Sequence, residues 1–73
     1  MSNFSNLATE IEETDKMIKK SISICKRDKK PMFVRSIRFF IMEVYVDNFK
    51  PENLLFTCNY ADYDEKYAPL MYQ

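Results

Sequence analysis

Asp62, Asp64 and Glu65 crowd one short stretch among Tyr60, Tyr63, Tyr67 and Tyr72. Three carboxylates so close together are what a hard cation takes through oxygen ligands. They are equally what a solvated turn carries. The tyrosines point to other chemistry, since tyrosine offers a large contact area at small entropic cost and is enriched where proteins meet. We therefore take Tyr60, Asp62, Tyr63, Asp64, Glu65 and Tyr67 as candidate partner-binding residues, with the acids suited to a basic partner. The competing expectation is that these tyrosines cover the open edge or face of a sheet.

A second cluster is basic. Lys26, Arg27, Lys29, Lys30, Arg35 and Arg38 stand close in sequence. They suit phosphate contacts on RNA or DNA, which makes nucleic-acid binding the alternative function. The net charge of zero argues against a dedicated nucleic-acid module. Its distribution is uneven, however. Residues 1–15 carry four acids and no base, residues 16–38 nine bases against Asp28, and residues 39–73 six acids against two bases. The three segments thus carry −4, +8 and −4.

Most catalytic chemistry is excluded by composition. The chain of 73 residues has no histidine and no glycine. Without histidine there is no Ser-His-Asp or Cys-His arrangement and no imidazole ligand. Without glycine there is no P-loop and no dinucleotide fingerprint. Cys25 and Cys58 are too few for a four-ligand zinc site. No enzyme, no cofactor and no metal are the resulting expectations. Each cysteine is expected to act as a small buried hydrophobe. A Cys25–Cys58 disulfide would need α-helix and strand to bring them together.

The segment Lys50–Pro51–Glu52–Asn53–Leu54–Leu55–Phe56 resembles the catalytic-loop segment of protein kinases. The family's aspartate stands two residues before the lysine, in a His-Arg-Asp motif, whereas Asp47 stands three before Lys50. The glycine-rich loop, the strand lysine and Asp-Phe-Gly are missing, and the chain is far too short for a kinase. The resemblance implies only a local passage from loop to strand.

The elements that must position these residues are few. Phe4, Leu7, Ala8, Ile11, Ile18, Ile22 and Cys25 recur at helical spacing, which predicts one long helix over 4–26. Ser2 or Asn3 suits its cap. Glu10, Glu12 and Glu13 near its start, and Lys19, Lys20, Lys26 and Arg27 near its end, suit the helix dipole. Glu12 with Lys16, and Asp15 with Lys19, are favourable i,i+4 pairs. Asp15 lies near the apolar stripe, so it is expected in water at an edge or paired with Arg35 or Arg38. Met17 and Ile24 lie off the stripe, one above the other, as a small contact patch or as scattered surface residues. Pro31 ends the helix by forcing Lys30 out of the helical region.

Phe39–Val46 and Leu54–Tyr60 are rich in aromatic and β-branched residues, and Asp47–Asn53 between them is turn chemistry. Alternation predicts strands near 40–46 and 54–60. Met32–Arg35 reads as the beginning of a long bent first strand or as a short separate one. After Ala61 an acidic, aromatic turn or short helix is expected, and Pro69–Tyr72 is apolar enough to dock as an edge segment. The fold class is α+β, one long N-terminal helix on a small antiparallel sheet of two or three strands, in a single domain. A small all-α bundle is the alternative, because Phe33, Ile37, Phe40, Ile41 and Val44 also make a helical stripe.

So small a chain buries only about 60% of its unfolded surface. It has few devices to guard sheet edges, which predicts a homodimer. No signal peptide and no transmembrane run are visible, so the expected setting is cytoplasmic, away from membranes. The Lys, Asn, Ile, Phe and Tyr bias hints at an AT-rich phage or mobile element. The functional expectation is a small non-catalytic protein-binding factor, an inhibitor or accessory protein of the phage type, acting by occupying a partner's surface.

Overall fold

The structure is a computed structural model; it describes residues 3–72, with side chains from Thr14 onward. The stripe positions Phe4, Leu7, Ala8 and Ile11, the cap and Glu10, Glu12 and Glu13 lie outside the described side chains. The fold is α+β. A long helix α1 (Asn3–Arg27) is followed by strands β1 (Met32–Arg38), β2 (Ile41–Val46) and β3 (Leu54–Asn59). A C-terminal helix then runs over 60–71. The sheet is antiparallel with order β1-β2-β3, so both outer strands are edges.

The end of α1 is set by backbone chemistry. Lys30 N–H reaches the carbonyl of Cys25 at 2.9 Å and Lys29 N–H that of Lys26 at 3.2 Å. Lys29 sits at φ 57°. This is a Schellman closure, whose left-handed position usually holds glycine. The chain has no glycine, so a lysine takes it, against the steric preference of a Cβ-bearing residue. Pro31 follows, and its carbonyl accepts from Asp47 N–H at 3.0 Å, which ties the helix exit to the end of β2.

α1 and the C-terminal helix share one face of the sheet. Ile18 and Ile22 from α1, Val44 and Phe56 from the sheet, and Tyr67 and Met71 from the C-terminal helix form the core. Val34 pairs with Val44, and Val44 with Phe56, so the apolar sides of all three strands face the helices together. A register shift between Val44 and Tyr45 interrupts the alternation of β3. Leu55 packs against the core as Phe56 and Cys58 do, whereas Leu54 is left exposed.

Three features that the sequence left open or misplaced are set by the structure. Of the two readings of Met32–Arg35 the short separate strand is the one formed, so the first strand does not run on through Phe39. Phe39 and Phe40 reverse the chain between two separate strands, with Phe40 at φ 64°. Neither residue signals a turn; cross-strand pairing of Val34 with Val44 forces one there. Residues 63–68 take the helical one of their two expected forms, and residues 69–72 join that helix instead of docking at a sheet edge. They continue helically from Asn59, whose Oδ1 accepts from Asp62 N–H at 2.7 Å as an N-cap, and pack beside α1. This helix opens into a π-turn at Tyr63–Tyr67 immediately upstream of Pro69, which itself lacks a donor. Finally, Asp15 pairs with neither Arg35 nor Arg38. It meets Lys19 at 3.1 Å, the i,i+4 pair expected of it, and accepts from the Tyr67 hydroxyl at 2.8 Å.

Cys25 is buried, Cys58 is half-buried, and both are free thiols. Burial pushes each thiol upward from its ordinary pKa.

Candidate functional site

The β1–β2 turn is the most exposed apolar part of the described structure. Phe39 is 91% exposed and Phe40 70%. Their rings stand 6.4 Å apart at 43°. Ile37 and Ile41 flank them and are also exposed. A bulge between Ser36 and Arg38 releases Ile37 from pairing. The Ser36 hydroxyl lies 3.1 Å from the Arg38 carbonyl and 3.4 Å from that of Ile41, so it braces the turn from inside. The Phe40 carbonyl accepts from Tyr60 N–H at 2.6 Å, which joins the turn to the start of the C-terminal helix. Between them lies an apolar groove of about 290 Å³ lined by Ser36, Phe40, Met42 and Tyr60.

The six tyrosine-cluster candidates do not share a surface. Tyr60 is 49% exposed and lies beside Phe40. Asp62 pairs with Lys66 at 3.6 Å. Tyr63 packs against the core, and its hydroxyl lies 2.9 Å from that of Tyr72. Burial, then this hydrogen bond, pushes its pKa upward. Asp64 and Glu65 point to solvent. Tyr67 is only 4% exposed and packs edge-on to Phe56 at 5.4 Å, so its ring is out of a partner's reach. Its pKa is raised by burial first and by the Asp15 hydrogen bond second. Among the described residues no three His, Cys, Asp or Glu side chains converge on one cation position.

The basic candidates are spread along the sheet. Lys26 Nζ donates to the Leu70 carbonyl at 2.8 Å, and Arg27 pairs with Asp28 at 3.2 Å. Lys29 and Lys30 form the closure of α1 at the Met32 end. Arg38 lies at the other end, beside the turn, about 20 Å away for a seven-residue strand. Arg35 is engaged on the helix-free face of the sheet. Its Nε meets Glu43 Oε1 at 2.9 Å, and its Nη2 donates to the Tyr45 hydroxyl at 2.9 Å. Tyr45 in turn donates to Glu43 Oε1 at 2.8 Å.

Phe49, from the β2–β3 loop, folds over this network. Its ring lies 5.3 Å from that of Tyr45 and 5.6 Å from that of Phe33. The Arg35 guanidinium stacks 5.0 Å above Tyr45. The Tyr45 and Arg35 hydrogen bonds hold the Glu43 carboxyl below its usual range. The Glu43 hydrogen bond raises both Arg35 and Tyr45. The arrangement satisfies its own charges and reads as a structural clasp that leaves Tyr45 3% exposed on the face of the sheet opposite the helices of the described residues.

Sequence reasoning missed Phe39, Phe40 and Ile37 as surface residues. A Phe pair inside an apolar run reads as strand core. The available signal was length, because Met32–Val46 is too long for one strand in a sheet this small. Among the described residues no helix is long and apolar enough to cross a membrane. No family model, curated protein or solved structure matches the chain.

Proposed function

We propose that this protein is a non-catalytic protein-binding factor whose contact element is the β1–β2 turn. Phe39 and Phe40 are the anchors, and Ile37, Arg38, Ile41 and Tyr60 surround them. The observation that carries the reading is the paired exposure of two phenylalanines, one held at positive φ. Covering each ring would contribute about 1.5–3 kcal/mol. The left-handed conformation costs a non-glycine residue about 1–2 kcal/mol. A backbone outlier coupled to exposed apolar side chains is a feature found at contact sites rather than in cores. Tyr60 is the one residue of the tyrosine cluster that adjoins this patch, and Arg38 is the one basic candidate beside it. The protein acts by seating the turn in a partner's apolar pocket and so occupying that surface.

The test is affinity capture from cell extract with the wild type and with Phe39→Ser/Phe40→Asn, each with and without nuclease. The wild type should retain a protein that survives nuclease. The variant should lose it at unchanged melting temperature. Retention by the variant sinks the reading. Loss on nuclease alone transfers the function to nucleic acid and to the basic residues.

A further inference from the structure

The turn that carries Phe39 and Phe40 has a hollow on each of two sides. One, of about 610 Å³, is lined by Ile37, Arg38 and Phe39, and the other is the groove of about 290 Å³ lined by Met42 and Tyr60. Ser36 and Phe40 border both, so the Phe40 ring stands between them. The two outer ends carry opposite charge. Arg38 stands on the first side. On the second, Asp64 follows Tyr60 by four residues in the C-terminal helix and therefore lies on the same helix face. Both Arg38 and Asp64 are exposed. Among the described residues neither belongs to an ion pair, whereas Asp15, Asp28, Glu43 and Asp62 are all paired.

We infer that the turn, while no other partner holds it, is covered by a second copy of the same chain. The inference rests on the turn being the contact element and adds what regulates it. A two-fold axis beside Phe40 reverses the order of base, projecting ring, groove and acid. Phe39 of each copy then seats in the groove between Phe40 and Tyr60 of the other. The two Phe40 rings meet near the axis in offset contact, and each Arg38 faces the Asp64 of the other copy. The groove is larger than the roughly 150 Å³ that admits a benzene ring, so it has room for the Phe39 side chain.

Two observations select this occupant. The first is charge complementarity. An unpaired base and an unpaired acid on opposite sides of one ring-and-groove surface match that same surface turned over, whereas a foreign apolar pocket has no reason to need both. The second is area. The exposed parts of Ile37, Phe39, Phe40, Ile41 and Tyr60 come to roughly 500 Å² per copy, with about 150–250 Å² for a whole aromatic side chain. Roughly 1,000 Å² for the pair reaches the size of a specific but dissociable contact and falls short of an obligate dimer. The copies therefore release each other when a partner competes for the same rings, and self-pairing keeps those rings out of water until then. Both sheet pairings carry a register shift, so neither edge offers a regular ladder and the contact needs none.

Sedimentation velocity on the full chain at tens of micromolar tests the pairing. The wild type should sediment as a dimer that dissociates on dilution and as salt is raised. Phe39→Ser/Phe40→Asn should give a monomer of unchanged circular dichroism. Arg38→Glu and Asp64→Lys, at exposed positions where folding is not at risk, should each weaken the dimer about tenfold, and the two together should restore it. A wild type that stays monomeric overturns the proposal. So does a dimer that survives Phe39→Ser/Phe40→Asn, or a double reversal no better than the singles. Capture from extract separates this pairing from the turn's role toward a partner. A monomeric wild type whose capture still needs Phe39 and Phe40 removes the second copy and keeps that role. A dimer that Phe39→Ser/Phe40→Asn dissolves while capture persists keeps the second copy and removes that role.

Discussion

The Tyr67 hydroxyl donates to Asp15 Oδ1 at 2.8 Å across 52 residues of sequence. It pins the C-terminal helix to α1 over the middle of the core. Tyr67→Phe removes this bond and leaves Asp15 only its Lys19 partner. Chemical denaturation should show a loss of about 1 kcal/mol, the usual worth of such a bond. An unchanged midpoint would mean that the contact is incidental.

The same pair sets an acid dependence. The Tyr67 hydrogen bond first, and Lys19 second, hold the Asp15 carboxyl below its ordinary range. The folded chain therefore binds this proton more weakly than the unfolded chain. Its stabilisation is present above the ordinary carboxylate pKa and is lost as pH falls through the lowered value. Asp15→Asn should be less stable than the wild type at neutral pH, and the gap should close in acid. A gap that stays constant down to low pH would contradict the assignment.

Lys29 occupies a left-handed cap at φ 57° without being glycine. Lys29→Gly should stabilise the fold by about 1 kcal/mol, because the Cβ clash disappears at a position already in that conformation. A thermal melt reads the gain directly. A loss would show that the lysine side chain contributes something its exposed position does not suggest.

Phe40→Gly separates strain from contact. It relieves the φ of 64° and removes an exposed ring at once. Melting temperature should hold or rise while partner capture falls, and opposite signs in two measurements on one variant are what a binding residue under strain requires. A falling melting temperature would place the ring in the fold's own packing instead.

Both cysteines carry thiol pKa values raised by burial. Thiol labelling at mildly alkaline pH should be slow in the native protein and complete in denaturant. Cys25, the more buried, should lag Cys58. Rapid native labelling of Cys25 would indicate that α1 lifts from the sheet.

What the sequence determined by itself is local. A stripe at helical spacing through Ile18, Ile22 and Cys25 admits one element, and α1 is that element. Alternation in Met42 and Val44 and again in Phe56 and Cys58, with Pro31 and Asp47–Asn53 as punctuation, favours an antiparallel sheet over the helical stripe that Phe33, Ile37, Phe40, Ile41 and Val44 also make. These signals belong to residues a few positions apart, so no knowledge of the rest of the chain is needed to read them. The turn at Phe39–Phe40, the inward rotation of Tyr67 and the clasp of Arg35 with Glu43 and Tyr45 were decided only by the tertiary structure. Each depends on which residues far apart in sequence become neighbours. Val34 must find Val44 before Phe39 and Phe40 become a tip. Asp15 must lie under the C-terminal helix before Tyr67 has a reason to face in. A phenylalanine looks the same in a sequence whether it fills a core or stands in water. Register across the sheet, which pairs β1 with β2 one residue at a time, is what left these two outside.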